Sequence, residues 1–221
     1  MYSPNLAISP SWLDAAKAFA CFAARYLPRP PVTMFEMGCG HGTAASFMRT
    51  LADRLVLMDI DDASLGVVRE VWKNDTSVSV VKRNMHAGYG PLSPSDGMAS
   101  PRKQSGIQAF KQSSNLFYYF LSLHHIEDTA AELSQANSML TDDGVLLICE
   151  MTPVNGVHFH RYDSVPHDGM EYAEVVNALE QSGFEIIVRE NLPPVTRPGT
   201  EKPLFPLYAV AARKPLTRAS R

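Results

Sequence analysis

The sequence predicts an α/β fold in which helices cover a mostly parallel sheet. Apolar runs typical of buried strands alternate with helical segments between residues 32 and 150, and this alternation indicates crossover connections. The first strand joins its helix through glycines at alternate positions, Gly38, Gly40 and Gly42. Because glycine lets the backbone turn sharply and approach a ligand closely, this unit predicts a nucleotide-type binding turn at the carboxyl edge of the sheet.

The spacing of the glycines distinguishes between classes of nucleotide-type ligand. It is neither G-x-G-x-x-G nor a phosphate-binding loop ending in Gly-Lys-Ser/Thr. The acid-x-Gly-x-Gly-x-Gly form that starts at Glu36 resembles the first motif of the class I S-adenosylmethionine (SAM)-dependent methyltransferases. In that family the loop passes under the methionine part of the cofactor. The resemblance therefore implies cofactor contacts by Glu36, Gly38, Cys39, Gly40 and Gly42.

A second acidic position lies where a ribose contact is expected. A short apolar run ends in Asp59, about 20 residues after the glycine loop, and a carboxylate there can accept hydrogen bonds from both ribose hydroxyls. We assign this role to Asp59 by resemblance to the family, with Ile60 beside it at the cofactor. Asp61 and Asp62 are then expected to cap the next helix.

The adenine contact is predicted after the third strand, residues 78–81. Members of the family usually carry an aspartate near this point, which accepts a bond from the adenine amino group. This chain has Asn84 instead, followed by Met85. The amide oxygen of Asn84 can accept the same bond, so we expect these two residues to contact the adenine.

The fourth strand ends in a histidine-rich motif. An aromatic run typical of a buried strand ends in Leu-His-His-Ile-Glu-Asp at 123–128, which resembles the fourth-strand motif of small-molecule methyltransferases related to the quinone-methylating enzymes. A helix over 130–140, a turn at 141–144 and a strand over 145–150 follow in the order of that family. The resemblance implies a cofactor contact by Leu123.

The resemblance also implies the complete fold. A helix over 168–183 precedes strands at 184–188 and 207–212, which a proline-rich segment, 193–206, separates. In this family the fold is a three-layer sandwich around a seven-stranded, mostly parallel sheet with a C-terminal antiparallel hairpin. We expect residues 1–221 to form one domain of this type.

Three segments are expected around the cofactor cleft. An amphipathic helix over 11–27 leads the domain, and helices at this place pack near the cleft in the family, although we expect core packing alone to account for most of its apolar face. Residues 86–114 are rich in Gly, Pro and Ser and too long for an ordinary connection, so both a lid over the pocket and surface disorder stay open. Residues 152–167 leave the fifth strand on the ligand side, and their aromatic and basic residues suit an aromatic or heteroaromatic substrate.

Histidines are the candidate catalytic residues. Methyl transfer needs an acceptor held in line with the methyl donor, and a base when that acceptor is a hydroxyl, a protonated nitrogen or an acidic carbon. The candidates are His124, His125, His158 and His160, with His124 first. Adjacent residues leaving a strand point to opposite sides, so only one of the first two is expected to face the pocket. An architectural role for this pair is an equal alternative.

Composition limits the partners. The net charge of −3 disfavours nucleic acid. The three cysteines lie far apart, and the histidines near 160 have no acidic ligands at defined spacing, so we expect no metal. Without a signal sequence or an 18-residue apolar run, we expect a cytoplasmic protein that binds no membrane, as a monomer or a homodimer.

The motifs together predict a SAM-dependent methyltransferase that acts on a small molecule and releases S-adenosyl-L-homocysteine. Two other classes stay open. One is a protein that binds SAM as a regulatory or partner subunit without catalysing transfer. The other is a SAM-dependent enzyme whose reaction is not methyl transfer, because one fold can carry unrelated reactions.

Overall fold

Seven strands form a single sheet in the computed structural model, which describes residues 9–83, 114–160, 165–197 and 200–215. The strand order is β3-β2-β1-β4-β5-β7-β6, and β1 to β5 run parallel, whereas β7 is antiparallel to β5 and β6. The strands are β1 Thr33–Met37, β2 Arg54–Asp59, β3 Val78–Lys82, β4 Ser114–Phe120, β5 Leu140–Met151, β6 Glu185–Thr196 and β7 Leu204–Arg213. The predicted mostly parallel sheet with an antiparallel end is confirmed.

Helices cover both faces of this sheet. They are α1 Pro10–Ala23, α2 Ala45–Met48, α3 Asp62–Trp72, α4 Thr129–Met139 and α5 Tyr172–Gln181. Alternate residues of a strand point to opposite faces, so Met34 and Tyr118 join the core with residues of α1, α2 and α3. Phe35 and Tyr119 join the other core, with residues of α4 and α5. Helices, sheet and helices are the three predicted layers.

The helix ends follow local chemistry. The carboxylate of Asp61 accepts from the backbone N–H groups of Ala63 at 3.4 Å and Ser64 at 2.8 Å, which confirms that Asp61 caps α3. Gly183 lies just beyond α5 with φ +78°, a conformation that favours glycine at a helix end. The leading helix ends at residue 23, four residues before the predicted end.

Two predicted irregular segments are strands instead. The turn expected at 141–144 is wrong, because β5 begins at Leu140, and a register shift between Ser114 and Leu116 of β4 absorbs the irregularity. The proline-rich stretch after residue 193 is also partly extended, since β6 continues through Thr196. Prolines are tolerated there because β6 is an edge strand whose register to β7 shifts nearby.

The topology places a crevice at the carboxyl ends of β1 and β4. From β1 the chain proceeds to β2 on one side, whereas β4 lies on the other side. Ligands bind in open α/β sheets where the strand order reverses in this way. The hydroxyl of Ser122 donates to the carbonyl of Met37 at 2.6 Å and so ties the end of β4 to the end of β1. No helix in the described ranges has the length and apolar character to cross a membrane.

Candidate active site

The glycine loop after β1 is shaped for close approach by a ligand. Gly38, Gly40 and Gly42 have φ values of +69°, +49° and +77°, which favour glycine. A Cβ atom added to Gly40 would meet no protein atom within 4 Å, whereas one on Gly42 would contact Ala45 and Val68 at 3.6 Å. The space beside Gly40 is therefore open to a cofactor, and the residues present fit one bound against the backbone.

Asp59 joins the two segments predicted to hold the cofactor. Its Oδ2 atom accepts from the backbone N–H of Gly40 at 2.7 Å, and its Oδ1 atom accepts from the N–H of Asp61 at 2.9 Å. Each carboxylate oxygen has a further lone pair for a hydroxyl donor. Ile60, the next residue, has an exposed side chain, so an apolar surface adjoins this carboxylate.

Glu36 is a buried acid directly before the loop. It is 2% exposed, and its Oε2 atom accepts a hydrogen bond from the Tyr118 hydroxyl at 2.8 Å. Burial raises the pKa of Glu36 to about 8, although the Tyr118 bond opposes the shift. Burial also raises the pKa of the Cys39 thiol, which keeps this cysteine protonated.

His124 and Glu150 form a buried pair at the ends of β4 and β5. The Nδ1 atom of His124 lies 2.8 Å from Oε2 of Glu150, and the two side chains are 1% and 0% exposed. Oε1 of Glu150 accepts from the N–H groups of Leu123 at 2.7 Å and His124 at 3.2 Å, and Oε2 also accepts from the N–H of Met151 at 3.2 Å. Burial would raise the pKa of Glu150, but the charge of His124 and these bonds leave it below its ordinary value.

The ionised Glu150 fixes the tautomer of His124. A carboxylate only accepts, so Nδ1 of His124 carries a proton, and in the neutral ring the lone pair lies on Nε2. That Nε2 atom lies 3.1 Å from Nε2 of His160, and when His124 is neutral the ring of His160 donates the bond between them. The lone pair of His124 points into a cluster of imidazoles rather than into the hydrophobic core.

His125 completes this cluster. Residues 123–125 form one turn of 3-10 helix rather than the continuation of a strand, so the two adjacent rings lie in the same cluster instead of on opposite sides. The ring centroids of His124 and His125 are 4.3 Å apart, and those of His125 and His160 are 4.9 Å apart. Desolvation, followed by the charges of His124 and His160, lowers the pKa of His125 to about 4.

The loop after β5 fixes His160 and directs His158 elsewhere. His158 is 78% exposed, and its Nδ1 atom lies 2.7 Å from Oδ2 of Asp168. Oδ1 of Asp168 accepts from the N–H of Phe159, whose carbonyl accepts from Arg197. Phe159 itself is buried and packs edge-on against Phe205, with ring centroids 4.9 Å apart. His160 thus follows an anchored residue.

Of the predicted site residues, the structure gathers most at one edge of the sheet. Three of the four histidines form the cluster, and the glycine loop, Asp59 and Leu123 lie at the neighbouring strand ends. Asn84 and Met85 lie outside the described residues, as do 86–113 of the predicted insertion and 161–164 of the substrate-side loop.

Two functional candidates had no role in the sequence-based prediction. Glu150 follows an apolar run as Asp59 does, so the same signal of an acid at a strand end was available for it. Tyr118 had no such signal, because a tyrosine within an aromatic run is typical of a core residue. The register that places Tyr118 opposite Glu36 accounts for the hydrogen bond between them.

Comparison with known proteins identifies the family. A family model described as a methyltransferase domain matches residues 13–188. No curated protein is detectably similar in sequence. The resemblance to the quinone-methylating enzymes in particular stays a prediction.

Solved structures show the same fold at low sequence identity. A SAM-dependent methyltransferase from Aquifex aeolicus is 13% identical with a TM-score of 0.63, over 92% of this chain and 93% of that one. One from Mesorhizobium loti is 18% identical with a TM-score of 0.63, over 91% and 100%. The [4+2]-cyclase SpnF is 14% identical with a TM-score of 0.66, over 98% and 87%.

The matched range covers most of the chain, and it includes the glycine loop, Asp59 and the His124–Glu150 pair. The open space beside Gly40 fits a cofactor that the carboxylate of Asp59 would hold. The chain belongs to the methyltransferase domain family and is an S-adenosylmethionine-dependent methyltransferase.

Proposed function

We propose that this methyltransferase acts on a small molecule and that His124, oriented by Glu150, removes a proton from the acceptor. The observation that carries the proposal is the 2.8 Å contact between His124 Nδ1 and Glu150 Oε2, which in the neutral ring puts the proton on Nδ1 and the lone pair on Nε2. An imidazole held in this way by a carboxylate is the arrangement expected of a general base.

The position of the pair supports this role. Ser122 ties the His124 turn to Met37, the residue before the glycine loop, so the base adjoins the predicted cofactor loop. SAM supplies an activated methyl group. The residues of this chain hold the cofactor, exclude water from His124 and take the proton that the acceptor loses.

The surroundings favour an aromatic or heteroaromatic acceptor over a macromolecule. Phe159 lies edge-on to His160 at 5.1 Å and tilted to Trp12 at 5.9 Å, which places aromatic rings beside the imidazoles. The net charge of −3 gives no attraction to nucleic acid. A hydroxyl, a protonated nitrogen or an acidic carbon all fit as the acceptor atom, because each has a proton to lose.

The test is production of S-adenosylhomocysteine with a panel of phenols, aromatic amines and β-dicarbonyl compounds, in the presence of a metal chelator. His124→Ala should lower kcat by roughly 10²–10⁴-fold with SAM affinity nearly unchanged, because a general base acts only in the chemical step. Glu150→Gln should lower kcat in the same direction, since the amide no longer selects the reactive tautomer. SAM binding by calorimetry confirms that each variant is folded.

The matched comparison is His158→Ala, which removes an exposed imidazole two residues from His160. A much smaller effect on kcat is expected from it, because His158 is bonded to Asp168 outside the cluster. If His158→Ala lowers kcat more than His124→Ala does, the general base lies in the loop after β5 and is not His124. If SAM binds but none of these small acceptors yields S-adenosylhomocysteine, the small-molecule part of this proposal is wrong.

A further inference from the structure

Three imidazoles meet at the carboxyl ends of β4 and β5, and a nitrogen of each lies within 4.8 Å of the other two. We infer that His124, His125 and His160 form a binding site for a divalent transition metal ion such as Zn²⁺. The inference goes beyond methyl transfer, because these side chains can bind a cation without the cofactor or the acceptor.

The distances suit this kind of ion. Zinc binds imidazole nitrogens at about 2.0–2.1 Å, so two nitrogens on a tetrahedral zinc ion lie about 3.3 Å apart. The Nε2 atoms of His124 and His160 are 3.1 Å apart, so a small displacement and a change of tautomer at His160 would admit the ion between them. The ring of His125 lies close to both of the others. Three coordinate bonds would then replace one hydrogen bond.

The partner of His124 is the one that metal-binding histidines normally have. Such histidines usually donate their second ring N–H to a carboxylate or a carbonyl, which fixes the ring and raises its basicity. Glu150 accepts from His124 Nδ1 at 2.8 Å in full burial, so Nε2 presents its lone pair with the ring already oriented. The carboxylate of Glu150 accepts three backbone bonds as well and therefore supports the ligand rather than joining it.

The cluster is also accessible to a metal ion from outside. His124 is buried, His160 is intermediate and His125 is exposed, so an ion can enter from the side of His125. Phe159 is anchored by Asp168 and Arg197, which limits the movement of His160.

Imidazole ligands suit zinc, copper, iron and nickel, whereas magnesium and calcium prefer oxygen. Three protein ligands would leave a coordination position open.

The site has a consequence for the proposed reaction. The lone pair of His124 Nε2 cannot hold a metal ion and accept a proton at the same time. Occupancy of the site and the base function of His124 therefore exclude each other. Where methyl transfer depends on His124, added Zn²⁺ should inhibit it and a chelator should restore it.

The test measures metal binding without SAM or acceptor, on protein without a histidine tag. Titration of Co²⁺ should give visible d–d bands that saturate at one ion per chain and disappear when Zn²⁺ is added. His160→Ala and His125→Ala should lose these bands. Glu150→Gln should weaken binding by about 10- to 100-fold, as loss of a carboxylate that orients a ligand does elsewhere.

His158→Ala is the matched control, since it removes a histidine of the same loop that lies outside the cluster, and it should bind Co²⁺ as the unmodified protein does. Equal Co²⁺ affinity in His160→Ala and the unmodified protein would overturn the inference, as would loss of binding in His158→Ala. Absence of the bands at millimolar Co²⁺ would overturn it as well and leave the base proposal standing. Calorimetric SAM binding by each variant shows that it is folded.

Discussion

At the scale of single residues, Asp59 and Asp61 show how neighbouring acids divide two tasks. Asp59 ends β2 and accepts from the backbone of the glycine loop, so it serves the predicted cofactor site. Asp61 caps α3 through Ser64 and Ala63, so it serves the stability of a helix. Replacement by alanine is therefore expected to have different effects at Asp59 and at Asp61.

Asp59→Ala should weaken SAM binding by about ten- to a hundredfold, because hydrogen bonds to a charged group contribute roughly 1.5–3 kcal/mol. Asp61→Ala should leave SAM affinity close to that of the unmodified protein and lower the free energy of unfolding through the lost helix cap. Calorimetry with SAM and urea denaturation give the two quantities. A larger loss of SAM affinity in Asp61→Ala than in Asp59→Ala would reverse the assignment.

Individual site residues were predictable where a local pattern marks them. Asp59 and the three glycines are marked by the strand and loop around them, and His124 by a motif at a strand end. His160 was a candidate only as a histidine of the loop after the fifth strand, and the sequence could not show its contact with a residue 36 positions earlier. The absence of a metal was expected from spacing alone, and spacing along the chain says little about imidazoles that separate elements bring together.

At the scale of elements, the glycine loop is the part whose backbone conformation matters most. Gly40→Val should abolish SAM binding and leave the sheet folded, because the new side chain would fill the open space beside the loop. Its φ of +49° also disfavours a β-branched residue. Calorimetry measures the loss of binding, and far-UV circular dichroism checks the fold. SAM affinity equal to that of the unmodified protein would show that the cofactor lies elsewhere.

The elements that the sequence predicted well are those that pattern alone defines. Short apolar and aromatic runs located β1 to β4, and Asp61 located the start of α3. The turn expected at 141–144 is wrong because Asp-Gly is also compatible with an irregular strand start when a neighbour shifts register. The expectation that His124 and His125 point to opposite sides assumed a continuing strand, whereas β4 ends at Phe120 and a 3-10 turn follows.

At the scale of the whole molecule, the sheet order explains how distant segments form one site. Reversal of strand order between β1 and β4 brings the glycine loop beside the His124 turn, and β5 adds Glu150 from the other side of β4. The same sheet buries Glu36 opposite Tyr118. A buried acid of this kind couples global stability to pH, because its pKa differs between the folded and unfolded chains.

The raised pKa of Glu36 predicts how stability depends on pH. In the folded protein this pKa is about 8 because of burial, against an ordinary value of 4.5, so between these values the folded state holds one proton more than the unfolded state. The contribution of Glu36 to stability is therefore complete below about pH 4.5 and is lost as the pH rises to about 8. The free energy of unfolding should fall by about 1.4 kcal/mol per pH unit from this group.

Comparison with Glu36→Gln isolates this effect from the histidines, which titrate in the same range. The amide keeps an acceptor for the Tyr118 hydroxyl and cannot ionise, so the difference in unfolding free energy between the two proteins should change with pH between 6 and 8 and level off above 8. Urea denaturation at each pH measures this difference in unfolding free energy.

A bound cofactor with cationic groups favours the ionised carboxylate of Glu36. SAM should therefore bind the unmodified protein more tightly at pH 8 than at pH 6, and Glu36→Gln should not share this dependence. Parallel curves for the two proteins, in stability and in SAM affinity, would mean that Glu36 keeps one ionisation state throughout this pH range and that the coupling is absent.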